Sequence, residues 1–150
     1  ELQFKGVSAQ VEEVASPTVL VIAGLGPCAL SSVQVIPPGD PCYDKAKRFV
    51  KGLVNGKTVR VEVCPNIPVN DQGQKRVLVY YRQGESWLNL SISLVEAGLG
   101  RVADVPGCHV TTKAWLQYEK EARKARRGIW ADLKTHAPMT SAEPDESDFK

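Results

Sequence analysis

A hydrophobic period that changes twice along the chain predicts an α+β, mainly β fold: a five-stranded Greek-key barrel of the OB type with about three appended helices. Three observations carry this. Apolar residues alternate through three β-branched segments in the first 36 residues, switch to helical spacing, then alternate twice more before two further helical segments. The breaks fall at clusters of Gly and Pro, where strands turn. Finally, 150 residues with 43% hydrophobic and 24% charged side chains make one domain with a sizeable core, not two domains or a disordered chain.

Val7, Ala9, Val11 and Val14 mark the first strand, and Thr18 to Ile22 the second, after a break at Ala15-Ser16-Pro17. Gly24-Leu25-Gly26-Pro27 reads as a turn, and Ser31 to Ile36 as the third strand. Pro37-Pro38-Gly39 stops that strand, because proline has no N–H to give a ladder. Ala46, Phe49, Val50 and Leu53 then fall on one helical face, with Lys45, Lys47, Arg48 and Lys51 off it and Asn55-Gly56 at its end. Thr58 to Cys64 alternates as the fourth strand, and a polar loop, Pro65 to Gln74, leads to the fifth, Arg76 to Tyr81.

Leu88 to Ala97, closing on Gly98, reads as a short helix. Thr111 or Thr112 caps the last one, whose apolar stripe is Ala114, Trp115, Tyr118, Ala122 and Ala125, with Gly128 at its end. Trp115, Tyr118 and Trp130 read as core. The domain is expected to span residues 1–134, and residues 135–150 to form an acidic tail.

Composition excludes some functions. No apolar run approaches the roughly 20 residues of a membrane helix. The net charge is only +2, but the tail holds four acids against one lysine, so the rest of the chain carries about +5. Cys28, Cys42, Cys64 and Cys108 contain no C-x-x-C pair, and two histidines add little from which to build a zinc site. An even count without metal spacing points to two disulfides, of open connectivity, and so to an extracytoplasmic compartment.

The runs YDKAKRFVKGLVNGKTVRVEV (Tyr43 to Val63), RVLVYY (Arg76 to Tyr81), LVEAGLGRV (Leu94 to Val102) and EARKARRGIW (Glu121 to Trp130) resemble the staphylococcal nuclease-like family over about residues 8–132. The resemblance implies a calcium-dependent phosphodiesterase where the family's acids are present. Its Asp-Gly-Asp-Thr motif aligns with Ala15-Ser16-Pro17-Thr18, which keeps only the threonine. In its second motif, Ser32 stands for the phosphate-binding Arg, Pro37 for a calcium-binding Asp, and Asp40 for the Glu. Arg76 matches the second phosphate-clamping Arg. Prolines offer calcium no side-chain oxygen, and phosphodiester cleavage leans on charge neutralisation, so calcium is expected not to bind and the reaction to be lost. Asp40 and Arg76 are the remnants.

Three functional expectations follow. A non-catalytic domain holds single-stranded DNA or RNA through Lys45, Arg48 and Lys51 on one helix, Lys120, Arg123, Lys124 and Arg127 on another, and Arg76. Tyr80 and Tyr81 alternate, so one faces outward for stacking, and Tyr81 is assigned that place. The second is a protein-interaction or structural module, in which a Cys42–Cys108 disulfide ties the loops flanking the old cleft. The third is an active nuclease that uses His109 as base or an acidic cluster rebuilt from Asp40, Asp71 and Asp104.

Overall fold

The computed structural model describes residues 6–65, 68–103 and 112–131. Its barrel is formed by β1 (Val7–Ser16), β2 (Val19–Ile22), β3 (Gly26–Leu30), β5 (Thr58–Val63) and β6 (Lys75–Gln83). Strands β1, β2 and β3 meander antiparallel, β5 adds to the free side of β1, and β6 adds to β5. The cylinder closes where β6 runs parallel to β3, pairing Cys28, Ala29 and Leu30 with Lys75, Arg76 and Val77. The long β1 serves both sheet halves, with Val7 to Gln10 on β5 and Val11 to Ser16 on β2. Register shifts between Val11 and Glu13 and between Val14 and Ser16 let it bend around the barrel.

Alternation sets the interior. Val11, Leu20, Ile22, Cys28, Val59, Val61, Val77 and Val79 are essentially inaccessible, and Ala46, Val50 and Val54 of α1 (Pro41–Val54) join them from below. Helix α2 (Leu90–Glu96) adds Leu90, Leu94 and Val95. Helices α1 and α2 each start on a side-chain cap. The Asp40 carboxylate accepts from the Cys42 N–H at 2.9 Å ahead of Pro41, and the Asn89 side chain accepts from the N–H groups of Ser91 and Ile92.

The third strand differs from expectation. The segment Ser31 to Ile36 contributes only β4 (Val33–Gln34), which pairs with β8 (Arg101–Val102) in a small second sheet. The barrel strand lies earlier and includes Pro27. Proline is tolerated there because β6 engages β3 only from Cys28 onward, leaving one side of Pro27 unpaired. Residues Ser86–Asn89 likewise form β7 rather than the start of the helix, pairing with the end of β6. The last helix, α3 (Leu116–Lys124), opens through a 3-10 turn at Thr112–Trp115 with no side-chain cap on its first turn. Thr111 lies outside the described residues.

Trp115 and Trp130 are buried, as the sequence predicts. Trp130 belongs to a second cluster with Ile36, Cys42, Ala122 and Ile129. Two glycines permit this docking: the Ile129 N–H donates to the Gly98 carbonyl at 2.8 Å, and a Cβ on Gly98 would collide with the Arg127 backbone. A Cβ on Gly128 would collide with the Gly98 backbone in turn. Glu119, 5% exposed, completes the joint by accepting from the Val102 N–H at 2.7 Å and pairing with Arg123 at 2.7 Å. The Arg123 guanidinium also lies 4.8 Å from the Trp130 ring centre.

Removing one partner of a buried ion pair strands the other, so Glu119→Ala is expected to cost about 3 kcal/mol in urea unfolding. Glu119→Gln, which keeps an acceptor for Val102, is expected to cost about half that. Equal losses would place the stabilisation in shape rather than charge.

Candidate functional site

The barrel closure shapes a cleft. Ala29 to Gln34 from the end of β3 and the turn after it, Asn70 to Gln72 from the loop before β6, Arg76 and Ala103 line a hollow of about 420 Å³. Parallel pairing puts Ala29 opposite Arg76, so the strand register itself sets the guanidinium in the wall. Arg76 Nε is buried and has no hydrogen-bond partner among the described residues. Behind it, the Cys64 N–H donates to the Arg76 carbonyl at 2.9 Å and fixes the backbone.

The opposite wall is a serine pair. Ser31 and Ser32 are each 2% exposed, with their hydroxyls 3.0 Å apart. The Ser31 N–H donates to the Val77 carbonyl, and the Ser91 hydroxyl donates to the Ser31 carbonyl at 2.9 Å. Ser32 takes φ of 69°, in the left-handed region that costs a non-glycine residue about 1 kcal/mol. Its carbonyl accepts from the Ala103 N–H. The neighbouring loop is held by Asn70, whose side-chain oxygen accepts from the N–H groups of Gln72 and Gln74.

Asp40 and Arg76, expected as remnants of one site, are separated by their roles. Asp40 caps α1 and is not among the residues lining the cleft. Asp71 is the one carboxylate among the described lining residues. No three of His, Cys, Asp and Glu lie together among the described residues. His109, Cys108 and Asp104 lie outside those residues.

The expected cationic helices are present on the surface. On α1, Lys45, Arg48 and Lys51 are exposed, with Lys47 half-buried beside them. On α3, Lys120 and Lys124 are exposed, as is Arg127 just beyond its end. Arg127 donates to the Glu96 carbonyl at 3.0 Å. Arg123 departs from the expected set, because its guanidinium is committed to Glu119 and Trp130. None of these helical residues lines the cleft.

Tyr81 is corrected. It shares parity with Val77 and Val79, is 5% exposed, and its hydroxyl meets the Ser93 hydroxyl at 2.7 Å inside the core. Tyr80 is the neighbour that faces out. Burial, the nearby Glu62 charge and a Glu62 hydrogen bond raise its phenol to about 12. Trp87 sits on β7 on the same outer face, with the Arg60 guanidinium 4.1 Å from its ring centre.

The expectation of two disulfides is corrected in part. Cys28 and Cys42 form no disulfide, so Cys42 does not tie the cleft loops, whereas Cys64 is disulfide-bonded. Cys28 points into the barrel and Cys42 into the second cluster, and desolvation raises both thiols above their usual range.

The Staphylococcal nuclease homologue family model matches residues 30–132. No curated protein matches the chain. No helix among the described residues is long and apolar enough to cross a membrane.

Two outcomes follow from the tyrosines. Tyr81→Phe is expected to lower stability by about 1 kcal/mol in urea unfolding, the worth of a buried hydroxyl pair. A phenol raised in the folded state contributes stability that is complete below about pH 10 and lost as pH rises through about 12. Unfolding curves should therefore fall less steeply over that window in Tyr80→Phe than in the unaltered chain.

Proposed function

Because the chain belongs to the Staphylococcal nuclease homologue family, we propose that it binds single-stranded nucleic acid without calcium and without cleaving it. Arg76 carries this reading. A guanidinium lines the family's cleft with a buried Nε that has no protein partner among the described residues, and a phosphate oxygen is the acceptor that satisfies it. The Ser31 and Ser32 hydroxyls and the Asn70 loop offer neutral hydrogen-bonding groups around the same space.

The donor set does not fit the family's metal. Calcium takes six to eight oxygens with enough carboxylate charge to hold it. Here Pro17 and Pro37 replace acids in the aligned motifs, Asp40 is turned to the α1 cap, and Asp71 stands without a second carboxylate among the described lining residues. Ser32 in place of the other phosphate-clamping Arg removes a second source of transition-state charge. The arrangement therefore supports holding a phosphodiester rather than breaking it. The cations of α1 and α3 supply the long-range field that draws a polyanion in.

Fluorescence polarisation with a labelled 20-nucleotide single strand tests this. Binding at low salt is expected to be unchanged by EDTA or calcium, with the strand recovered intact. Loss of one charge-assisted contact is worth about 2 kcal/mol, so Arg76→Ala should weaken binding about 30-fold. Lys120→Gln with Lys124→Gln should reduce the log-affinity against log-salt slope by about 1.4. Cleavage that EDTA abolishes, or no binding at low salt, would overturn the reading.

A further inference from the structure

The outer face of the barrel carries an aromatic that core packing does not account for. Trp87 on β7 is only half-buried and belongs to neither hydrophobic cluster of the described residues. The Arg60 guanidinium lies 4.1 Å from its ring centre, and the contact is made from a distance. Arg60 on β5 stands opposite Tyr80 on β6, whereas Trp87 stands opposite Arg82 on the far side of β6. The Arg60 side chain therefore crosses β6, about 10 Å of sheet, to lie against the indole. At a partly exposed site such a cation–π pair is weak, and ordering a long arginine opposes it, so the barrel gains little from the arrangement.

The surroundings suit a polyanion. Arg60, Arg76 and Arg82 share this face of β5 and β6, and the one carboxylate on those two strands is Glu62, hydrogen-bonded to the Tyr80 hydroxyl. The face is also continuous with the cleft along one strand. Arg76 in the cleft wall and Arg82 beside Trp87 have the same parity on β6, six residues or about 20 Å apart. Leu78 between them is 1% exposed, so a bound strand has footholds at the two ends of this path and not at its middle. A path of that length is in keeping with the roughly four or more nucleotides that one barrel of this type holds.

We propose that the Arg60–Trp87 pair is a stacking platform for a nucleobase of the strand whose phosphate Arg76 holds. This rests on the nucleic-acid reading above and adds to it the base contact that Tyr81, buried in the core, does not make. A guanidinium plane and an indole both accept a base on their faces, whatever its identity.

Binding of the labelled 20-nucleotide strand is compared with that of an abasic strand of the same length. Trp87→Leu and Arg60→Lys, the second keeping the charge but losing the plane, should each weaken the base-bearing strand about tenfold and leave the abasic strand within about twofold. Their log-affinity against log-salt slopes should match that of the unaltered chain, because stacking releases no counterion. In the unaltered chain the base-bearing strand should quench tryptophan emission and the abasic strand should not; Trp87→Phe should abolish the quenching, since Trp115 and Trp130 are buried. Absence of quenching in the unaltered chain overturns the platform without recourse to a variant. Undiminished binding by Trp87→Leu, or an equal loss on both strands, overturns it too and leaves the nucleic-acid reading standing. No binding of either strand by the unaltered chain overturns both.

Discussion

The parallel pairing of β3 with β6 is the constraint on which the rest depends. It joins segments 47 residues apart at each rung, from Cys28 with Lys75 to Leu30 with Val77, and so converts an open meander into a cylinder. Closure also decides what faces what. The chain leaving β3 at Ser31 and the chain entering β6 at Lys75 meet on one rim, where Ser31, Ser32, Asn70 and Arg76 surround the cleft. The Ser31 N–H on the Val77 carbonyl extends the ladder one step past the strand, which holds Ser32 in its left-handed conformation. A strained serine in a cleft wall is stable only when its neighbours over-determine it, and here the Ala103 N–H and the Ser91 hydroxyl supply that determination.

A second joint holds the helices against this barrel. Gly98 ends α2 and Gly128 follows α3, and each must lack a Cβ, because the Arg127 backbone occupies that space at Gly98 and the Gly98 backbone occupies it at Gly128. The two runs of sequence that look most like a family signature, Leu94 to Val102 and Glu121 to Trp130, are thus two sides of one contact. Glu119 reaches across the same joint to the β8 backbone. The exposed lysines of α3 consequently project from a helix fixed by backbone contact and a buried ion pair, not from a loosely packed appendage.

Much of the barrel was legible because alternation and helical spacing are local signals. Val59, Val61, Val77 and Val79 point inward as their period demands. The third strand was misplaced because its evidence is non-local. Gly26-Pro27 has turn chemistry, and only the partner 47 residues downstream, engaging from Cys28, makes the segment a strand. Tyr81 was misassigned although its parity with Val77 and Val79 placed it inside; Leu78, buried at 1% on the opposite parity, blurs the alternation that would have said so. In the cleft, Arg76 was legible through the family resemblance. Ser31, Gln34 and Asn70 were not, since short polar residues at strand ends and turns carry no spacing that distinguishes a lining from a loop.

Charge shows how these layers combine on the proposed reading. The +2 of the whole chain averages a basic body with an acidic segment, and the body's cations are themselves divided. Arg123 and Arg101 lie near Trp130, at 4.8 and 5.6 Å from its ring, and serve packing. Lys45, Arg48, Lys51, Lys120 and Lys124 are solvated and can act only through a screened field. Among the described cations, Arg76 alone combines a place in the cleft wall with a buried donor that no described residue satisfies. Solvated cations raise the local concentration of a polyanion without fixing its position, whereas a desolvated donor fixes one oxygen but reaches no distance. A strand held by such a division would be positioned at a single phosphate and tolerated in sequence everywhere else.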